Sequence, residues 1–222
     1  MLIQNWMTAD VVSVTPETSL LKLGKLMRDK KVRRLPVLDD KEHVVGIISD
    51  RDVRDASPSK ATTLDMYEMH YLLAEVRAKD IMTANPFTIK PTDTIEMAAM
   101  LMQDKKIGGL PVVEESGRMV GIISDHDVFK ALVGITGARE GGVQLGIEVE
   151  NRPGAMRPVF DLLRDRGARI ISVLSSNSEG RRRQVFIRLR SMATRDDENA
   201  VMDAVRERAA LLYWTRDNVP IG

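Results

Sequence analysis

Val45-Gly46-Ile47-Ile48-Ser49-Asp50 recurs 75 positions later as Val120-Gly121-Ile122-Ile123-Ser124-Asp125. The same offset places Met7-Thr8-Ala9 on Met82-Thr83-Ala84, and Leu35-Pro36-Val37 on Leu110-Pro111-Val112, without a gap. Self-similarity at a fixed offset is the sequence signature of a repeated structural unit. The first half of the chain is therefore predicted to be a duplication of one unit, which we call the first and second repeats.

Each repeat is predicted to contain a strand, a helix, two further strands and a second helix. Val12-Ser13-Val14 alternates like a short strand. The helix that follows has a favourable N-cap residue at Thr18, or at Asp93 in the second repeat, where Glu96 is placed to close a capping box. The residues expected on its apolar face are Leu20, Leu23 and Met27 in the first repeat and Met97, Met100 and Leu101 in the second.

The duplicated motif stands at the junction between the later strands and the second helix. Arg34–Leu38 and Val44–Ile48 are separated by a polar turn and predict a β-hairpin. The hairpin leads into a helix that begins near Ser49 or Asp50. Because neither repeat has many residues with which to build a core, we expect the two to pack sheet against sheet about a pseudo-twofold axis.

The chain is divided into a first repeat over residues 1–62, a linker over 63–79, a second repeat over 80–134 and a C-terminal domain over 143–218. The glycine-rich segment Gly134–Gly142 separates the last two. Apolar residues in the linker predict a partly amphipathic helix that connects the repeats; they are Leu64, Tyr67, Tyr71, Leu72 and Val76.

The C-terminal domain has a different pattern, with the element order βαββαβ. Residues 143–149 alternate as a half-buried strand, and Gly167 lies where the C-terminal cap of the next helix belongs. Further strands are expected over residues 170–175, 185–189 and 211–214, and a last helix around Val201–Val205. This order is ferredoxin-like. Together with the two repeats, it predicts that the whole chain has a mixed α/β fold, of the α+β class.

The composition excludes several classes of protein. The 33 basic and 32 acidic side chains nearly cancel, so no bulk field attracts nucleic acid or anionic lipid. The absence of cysteine excludes disulfides, thiolate metal sites and thiol nucleophiles. The sequence lacks a signal-peptide pattern at its start and an apolar run of membrane-spanning length. A cytoplasmic protein without membrane or nucleic-acid partners is the expectation.

The segment Gly46–Asp52 has residue types suited to holding a nucleotide. A strand that ends in Ser49 at a helix N-terminus presents unpaired backbone N–H groups and a hydroxyl to a phosphate or sugar oxygen. The Asp52 carboxylate is placed to accept both hydroxyls of a ribose, as an acidic residue does in dinucleotide folds. The corresponding residues of the second repeat are Ser124 and Asp127.

Other residues complete this predicted site. Pro36 and Pro111 are expected to interrupt the hairpin pairing and leave backbone groups for an adenine edge, with Val12, Val14 and Ile48 as walls. A phosphate beside the carboxylate needs a cation, which Arg33, Arg34 and Arg51 supply in the first repeat. The second repeat has Gly108, Gly109 and His126 at those positions, so two clefts of unequal preference are expected. A structural alternative is that the serine and aspartate only cap a helix.

Both repeats resemble CBS domains, and residues 1–134 resemble a Bateman module, which is a tandem CBS pair. In that family the pattern G-h-h-[ST]-x-x-[DN], where h is apolar, binds the ribose and phosphates of AMP, ATP or S-adenosylmethionine. Ser49, Asp52, Ser124 and Asp127 match this pattern. The resemblance also places Arg33 and Arg34 where some members hold a phosphate.

Residues 143 to about 215 resemble an ACT domain, whose loop before the first helix is matched by Asn151-Arg152-Pro153-Gly154. The resemblance implies that an amino-acid effector binds at this loop, where the glycine allows close approach and the helix N-terminus receives a carboxylate. The order CBS–CBS–ACT resembles the AcuB-type acetoin-utilisation proteins. Both domain types usually pair in their families, which implies a homodimer.

The function expected from these resemblances is regulatory. An adenosyl ligand (AMP, ADP, ATP or S-adenosylmethionine) would bind in the CBS clefts, with Mg²⁺ as the companion of ATP, and no cofactor is required. Binding would shift the orientation of the two repeats and pass through residues 134–142 to the C-terminal domain and an unknown protein target.

Three alternatives stay open. An enzyme would use a metal cluster of Asp50, Asp52, Asp125, His126 and Asp127. These residues come from two separate repeats, and no third group is placed to complete the set of either repeat. No catalytic residue or metal ligand is therefore assigned. A nucleic-acid protein would use Arg181-Arg182-Arg183, which lacks interleaved aromatics. A scaffold would leave the clefts empty and bind a protein partner.

Overall fold

The computed structural model of the protein describes residues 1–57, 73–177 and 181–217. The chain forms two compact units, Met1–Phe129 and Lys130–Gly222. Most of the predicted linker helix, including Leu64, Tyr67, Tyr71 and Leu72, lies outside the described residues. The predicted domain bounds at 62, 79, 134 and 143 stay predictions.

The first repeat has the predicted helix, hairpin and second helix, but the strand predicted at Val12-Ser13-Val14 is wrong, because only Val14 there makes a bridge, to Val37. It comprises a 3-10 turn at Ile3–Asn5, helix α1 at Leu20–Lys30, strands β1 at Arg34–Leu38 and β2 at Val44–Ser49, and helix α2 at Asp50–Asp55. Strands β1 and β2 pair antiparallel, with Leu35 opposite Ile48. The predicted hairpin and the start of its following helix are confirmed.

The second repeat reproduces this arrangement. It comprises α3 at Ala78–Ile81, β3 at Thr83–Ala84, α4 at Ile95–Lys105, β4 at Gly109–Val113, β5 at Met119–Ser124 and α5 at Asp125–Thr136. Strands β4 and β5 pair antiparallel, with Leu110 opposite Ile123, as their counterparts do in the first repeat. The duplication seen in the sequence is therefore a duplication of structure.

The two repeats exchange strands. Strand β3 lies before the main helix of the second repeat, yet it pairs with β2 of the first, with Thr83 opposite Ile47. Reciprocally, Thr8 of the first repeat pairs with Ile122 of the second through two backbone hydrogen bonds of 2.9 Å. Each repeat thus completes the sheet of the other, and this exchange obeys the 75-residue offset.

The glycine of each duplicated motif makes this exchange possible. A Cβ on Gly121 would lie 2.6 Å from the Met7 sulfur and 3.0 Å from the Thr8 carbonyl oxygen. A Cβ on Gly46 would overlap the Met82 side chain in the equivalent place. The exchanged segments approach these strands so closely that only glycine leaves room for the methionine.

The pseudo-twofold relation extends to the hairpin turns. His43 and Arg118 are counterparts under the offset, and they face each other in an antiparallel bridge. The Met119 N–H donates to the Glu42 carbonyl oxygen at 3.2 Å. The axis that relates the repeats therefore passes between these two turns.

The predicted N-caps are wrong by one residue. Ser19 and Thr94 cap α1 and α4, since their hydroxyls accept from the backbone N–H groups of Lys22 and Met97. Thr18 instead accepts from the Thr15 N–H at 3.1 Å. In the second repeat Asp93 accepts from the Lys90 N–H at 2.8 Å, and Glu96 pairs with the N-terminal ammonium rather than closing a capping box. These side chains close the preceding turn and are not available as caps.

The core of the first repeat follows the predicted apolar face. Leu20, Leu23 and Met27 of α1 are buried against Leu35 and Ile48 of the hairpin. The prediction for α4 is wrong, because its buried residues are Ile95, Ala98 and Met102, whereas Met97 and Met100 are exposed. The cap at Thr94 places Ile95, one residue after it, in the core, which rotates the buried face away from these two methionines.

The C-terminal unit has the predicted βαββαβ order. Its elements are β6 at Gly142–Glu150, α6 at Arg157–Asp165, β7 at Ile170–Asn177, β8 at Arg182–Leu189, α7 at Arg195–Arg206 and β9 at Ala210–Asp217. The antiparallel sheet has the order β7-β8-β6-β9, which is that of a ferredoxin-like fold. The buried apolar cluster lies between α6, α7 and one face of this sheet.

An ion pair between a buried carboxylate and an exposed arginine joins a helix to an edge strand of this unit. Glu198 on α7 is buried, and its two carboxylate oxygens accept hydrogen bonds from Nε and Nη2 of Arg216 on β9. Its carboxylate also accepts the Met192 N–H at 3.3 Å. A buried charge with several hydrogen-bonded partners is tolerated in an apolar core, since its lone pairs are satisfied.

Gly121→Ala is expected to lower the free energy of unfolding of the N-terminal unit by about 1–3 kcal/mol, because the added methyl overpacks the strand exchange. Urea unfolding of the full chain measures this change. Combining it with Met7→Ala is expected to restore part of the loss. Gly24→Ala is the control, since its Cβ meets neighbours at 3.5 and 3.6 Å in a helix; it is expected to be neutral or stabilising. A Gly121→Ala protein as stable as the parent would contradict the exchange.

Candidate ligand-binding site between the two repeats

A cavity of about 450 Å³ lies between the two repeats. We call it the inter-repeat pocket. The first repeat contributes Thr8, Asp10, Val11, Val12, Lys31, Val32, Arg33 and Arg34, and the second contributes Ile122, Ser124, Asp125, His126 and Asp127. The pocket exists because Thr8 pairs with Ile122, which draws the start of the first repeat across the motif of the second.

The duplicated motif forms the same hydrogen-bonded cap in both repeats. The Ser124 N–H and hydroxyl donate to Asp127 Oδ2 at 2.9 and 2.6 Å, and the Asp127 N–H returns a 3.4 Å bond to the Ser124 hydroxyl oxygen. In the first repeat the corresponding distances for Ser49 and Asp52 are 2.7, 2.7 and 3.3 Å. The serine and aspartate therefore cap the helix in both repeats.

Capping uses only part of the hydrogen-bonding capacity of these carboxylates. A carboxylate offers about four lone-pair directions on two oxygens. Of the three bonds within the motif, the two that the carboxylate accepts both end on Oδ2 of the aspartate. Within residues 1–57, 73–177 and 181–217, no donor bonds Oδ1 of Asp52 or Asp127. The cap thus fixes the carboxylate in one orientation and leaves its second oxygen available to a diol.

Arg34 crosses from the first repeat to the second. Its side chain lies over Gly108 and Gly109, because a Cβ on Gly109 would stand 2.8 Å from Arg34 Cδ and one on Gly108 would overlap the guanidinium. The guanidinium reaches Asp125 at 3.8 Å. These glycines are the counterparts of Arg33 and Arg34 themselves. The second repeat therefore lacks the arginines where it must make room for an arginine of the first.

This crossing corrects the predicted grouping of charges. From the sequence, Arg33 and Arg34 are expected in a cleft with Ser49 and Asp52. The structure places them in the inter-repeat pocket with the second motif. Because sequence neighbours on a strand project to different sides, nearness in the chain does not decide which motif a side chain serves.

The electrostatics of the pocket are mixed. Lys31, Arg33 and Arg34 are its cations, and they stand across from the carboxylates of Asp125 and Asp127. Asp10 adds a third carboxylate, and His126 is the remaining titratable group. This combination suits a ligand with a polar diol at one end and a negative charge at the other, because guanidinium groups pair with phosphate and carboxylates accept from hydroxyls.

Several predicted residues do not line this pocket. Pro36 and Pro111 do not interrupt the hairpins, since the pairing continues through them. The Pro36 carbonyl oxygen accepts from the Val14 N–H at 3.0 Å, so it is not available to an adenine edge. Val14 and Ile48 are buried in the core, whereas Val12 does line the pocket.

Arg51 is an exposed residue of α2 and lies apart from the inter-repeat pocket. Asp125 was considered only as a metal ligand. The sequence did not predict the remaining lining residues, which are Thr8, Asp10, Val11, Lys31, Val32 and Ile122. The one signal for them was the match of Met7-Thr8-Ala9 to Met82-Thr83-Ala84. That match shows an equivalent element but does not reveal its pairing across repeats.

The second predicted site, Asn151-Arg152-Pro153-Gly154, forms the loop between β6 and α6. Gly154 has φ of +78° with open space around it, and Arg152 pairs with Glu150 at 2.6 Å. The geometry of the loop matches the expectation of a glycine that permits close approach. The binding of an amino acid there stays a prediction.

Other functional classes were also tested against the described part of the chain. There, no three histidine or acidic side chains are placed together to hold a metal ion. No helix among the same residues is long and apolar enough to cross a membrane. Arg182 of the arginine triplet lies in β8 and pairs with Glu148 at 2.7 Å.

Comparison with known proteins identifies the repeats. The family model of the CBS domain matches this chain twice, over residues 3–59 and 78–134. A CBS domain-containing protein from Dictyostelium discoideum is 30% identical over 132 residues, which are 60% of this chain and 91% of that protein. The homoserine O-acetyltransferase of Methanosalsum zhilinae is 33% identical over 126 residues, but these are 57% of this chain and 23% of the enzyme. The chain thus spans about a quarter of that enzyme.

Solved structures show the same fold. CBSX2, a protein of Arabidopsis thaliana, was determined in complex with AMP; it is 29% identical, with a TM-score of 0.52, over 60% of this chain and 97% of that one. A protein assigned to acetoin utilization (AcuB) from Vibrio cholerae is 24% identical, with a TM-score of 0.52, over 63% of this chain and 96% of that one. This second likeness extends to the fold alone.

Ser124→Ala is expected to lower the free energy of unfolding by about 0.5–2 kcal/mol, because the helix loses its capping hydroxyl. Chemical unfolding of the full chain measures the loss. Ser124→Thr keeps the oxygen and is expected to retain most of the stability. Ser116→Ala, in an exposed turn, controls for the loss of a serine hydroxyl. Equal stability of the Ser124→Ala and Ser116→Ala proteins would show that the cap contributes nothing.

Proposed function

The chain belongs to the CBS domain family, and from this premise we propose that it is a regulatory protein that binds an adenosyl ligand in the inter-repeat pocket. The ligand class comprises AMP, ADP, ATP and S-adenosylmethionine. In this proposal the protein catalyses no reaction of its own, and the ligand changes the arrangement of the two repeats.

One observation carries the proposal. A capped carboxylate, Asp127, stands in the same cavity as two arginines, Arg33 and Arg34, that come from the other repeat. A ribose diol satisfies the carboxylate oxygen that the cap leaves available, and a phosphate satisfies the guanidinium groups. Val11 and Val12 supply apolar surface for the base. A volume of about 450 Å³ lies within the ordinary range of small-molecule pockets.

The relatives support this ligand class. CBSX2, which shares the fold at 29% identity, was solved with AMP bound. The present chain contains the Ser-x-x-Asp pattern in both repeats, at Ser49 and Asp52 and at Ser124 and Asp127. These points favour an adenosyl ligand over other small anions of similar charge.

We propose that the two motifs are unequal. The motif of the second repeat shares its pocket with Arg33 and Arg34, whereas the equivalent positions of the second repeat are Gly108 and Gly109, which offer no cation to the first motif. The inter-repeat pocket is therefore proposed to prefer phosphorylated ligands. The Ser49–Asp52 motif, with Arg51 nearby in the chain, is proposed to bind them more weakly.

The proposed output is a population shift. A ligand that contacts both repeats at once favours the arrangement in which its contacts are complete. The shift can be no larger than the difference in the free energy of binding to the two arrangements. The C-terminal domain and a protein target are the proposed receivers of this change.

A scaffold is the second candidate function. Large apolar side chains are exposed on the N-terminal unit, with Phe129 at 65%, Met100 at 57% and Met97 at 48% exposure. Such residues suit contact with another protein surface. In this alternative the clefts bind no nucleotide, and the surface around these residues holds the partner. Nucleotide titration separates the two functions.

Other expectations stay predictions. They are the ACT assignment of the C-terminal unit, an amino acid at the 151–154 loop, Mg²⁺ accompanying ATP, a homodimer, an acetoin-utilisation role and a cytoplasmic location.

Asp127→Ala is expected to weaken AMP binding about 10- to 150-fold, because the ribose loses a charged hydrogen-bond partner. Isothermal titration calorimetry of the full chain measures the affinity. Asp29→Ala, on the exposed side of α1, removes the same charge and is expected to bind normally. Asp52→Ala, measured in parallel, reports on the first motif. Unchanged affinity in Asp127→Ala would remove this residue from the site.

Arg34→Gln tests the phosphate end separately. AMP affinity is expected to fall about tenfold, while adenosine affinity changes by less than about twofold, since only the phosphate meets the guanidinium. Arg54→Gln, which removes the same charge from the surface of α2, is the control. A parallel loss for adenosine and AMP would mean that Arg34 shapes the pocket rather than binding phosphate. No binding of any adenosyl ligand to the parent would favour the scaffold.

A further inference from the structure

The C-terminal unit contains a second cavity, of about 560 Å³, whose lining does not include the predicted effector loop. We call it the arginine cavity, because Arg166, Arg169 and Arg190 line it. Its wall includes Met192, Ala200 and Val201, which give it an apolar side. None of the residues 151–154 is among its lining residues.

The backbone of the arginine cavity is fixed by hydrogen bonds. The Arg190 N–H donates to the Arg169 carbonyl oxygen at 2.8 Å, which joins the loop after β8 to the loop after α6. Gly167 closes α6 with φ of +67°, and its N–H donates to the Arg164 carbonyl oxygen at 2.9 Å. The three arginines thus project from tied loops and not from a free segment.

The three guanidinium groups have different partners. Arg166 Nη1 donates to the Ala200 carbonyl oxygen at 3.1 Å, and Arg190 Nη2 pairs with Glu140 at 3.2 Å. Within the described parts of the chain, no carboxylate oxygen lies within 4.0 Å of the Arg169 guanidinium. The N–H groups of the Arg169 guanidinium are therefore available to a ligand. Arg166 and Arg190 each have further N–H donors besides the one that is already bonded.

The negative charge in the lining of the cavity lies on a carboxylate that also caps a helix. Asp197 is the one carboxylate among the lining residues that the structure describes. Its Oδ2 accepts the Thr194 N–H at 3.1 Å and the Thr194 hydroxyl at 2.8 Å, as part of the cap of α7. Three arginines face the carboxylate of Asp197 and the carboxylate of Glu140 that pairs with Arg190, which leaves the cavity with an excess of positive charge.

We propose that the arginine cavity binds a small polyanion with at least two carboxylate or phosphate groups. Guanidinium forks pair with both groups in planar, bidentate geometry, and clustered arginines favour more than one such group on the same molecule. The apolar wall accommodates a short carbon skeleton between the anionic groups. A volume of 560 Å³ is within the range of small-molecule sites. This proposal does not depend on nucleotide binding between the repeats.

The test titrates the full chain with citrate and, separately, with inorganic pyrophosphate at fixed ionic strength. Calorimetry is expected to show saturable binding of at least one probe. Arg169→Gln and Arg190→Gln are each expected to weaken it by about tenfold or more. Binding of citrate alone assigns the carboxylate class, and binding of pyrophosphate alone assigns the phosphate class.

Two control variants locate the binding. Arg164→Gln removes an arginine near the end of α6 that pairs with Asp161 and does not line the cavity. Arg34→Gln removes a cation of the inter-repeat pocket. Both are expected to bind the probe within about twofold of the parent. Circular dichroism confirms that each variant is folded, and Arg190→Gln stands in should Arg169→Gln fail to fold.

Three results would overturn the proposal. The first is no saturable binding of either probe. The second is an equal loss in Arg164→Gln and Arg169→Gln, which would indicate general charge attraction. The third is loss of binding in Arg34→Gln alone, which would assign the probe to the inter-repeat pocket.

Discussion

The backbone pairing of Thr8 with Ile122, and of Thr83 with Ile47, is the constraint on which the N-terminal unit depends. Each repeat gives a segment to the sheet of the other, so neither sheet is complete alone. Glycines at 46 and 121 are required because the exchanged methionines pass directly over them. The same exchange draws the start of the first repeat over the motif of the second and creates a pocket with walls from both.

A second consequence of the exchange is that the two repeats share a fold but differ in the charged side chains around their motifs. Arg34 lies on β1, opposite Ser49 of its own motif in the hairpin, yet its side chain extends over Gly108 and Gly109 to Asp125. An arginine at either of those positions would occupy the same space. One repeat can therefore supply arginines to this place only if the other supplies glycines. This relation gives a physical reason for two related motifs to serve ligands of different charge.

Much of the fold was predictable from the sequence, and the reasons are local. The 75-residue offset, the hairpins and the helix starts at Asp50 and Asp125 follow from periodicity and turn residues. The strand exchange was not predictable, since the alternation of apolar and polar residues along a strand does not reveal which strand it pairs with. The caps were misplaced because the oxygens of Thr18 and Asp93 close a turn first. At the site, the serines and aspartates were found by pattern, whereas Thr8, Lys31 and the crossing of Arg34 needed coordinates.

The central claim is that one adenosyl ligand contacts both repeats in the inter-repeat pocket. A crystal structure of the full chain grown with AMP tests it most directly. The account predicts density for one nucleotide with its ribose hydroxyls at Asp127 and its phosphate at Arg33 or Arg34. Only solvent in this pocket at saturating AMP, with or without a nucleotide bound elsewhere on the chain, would contradict it.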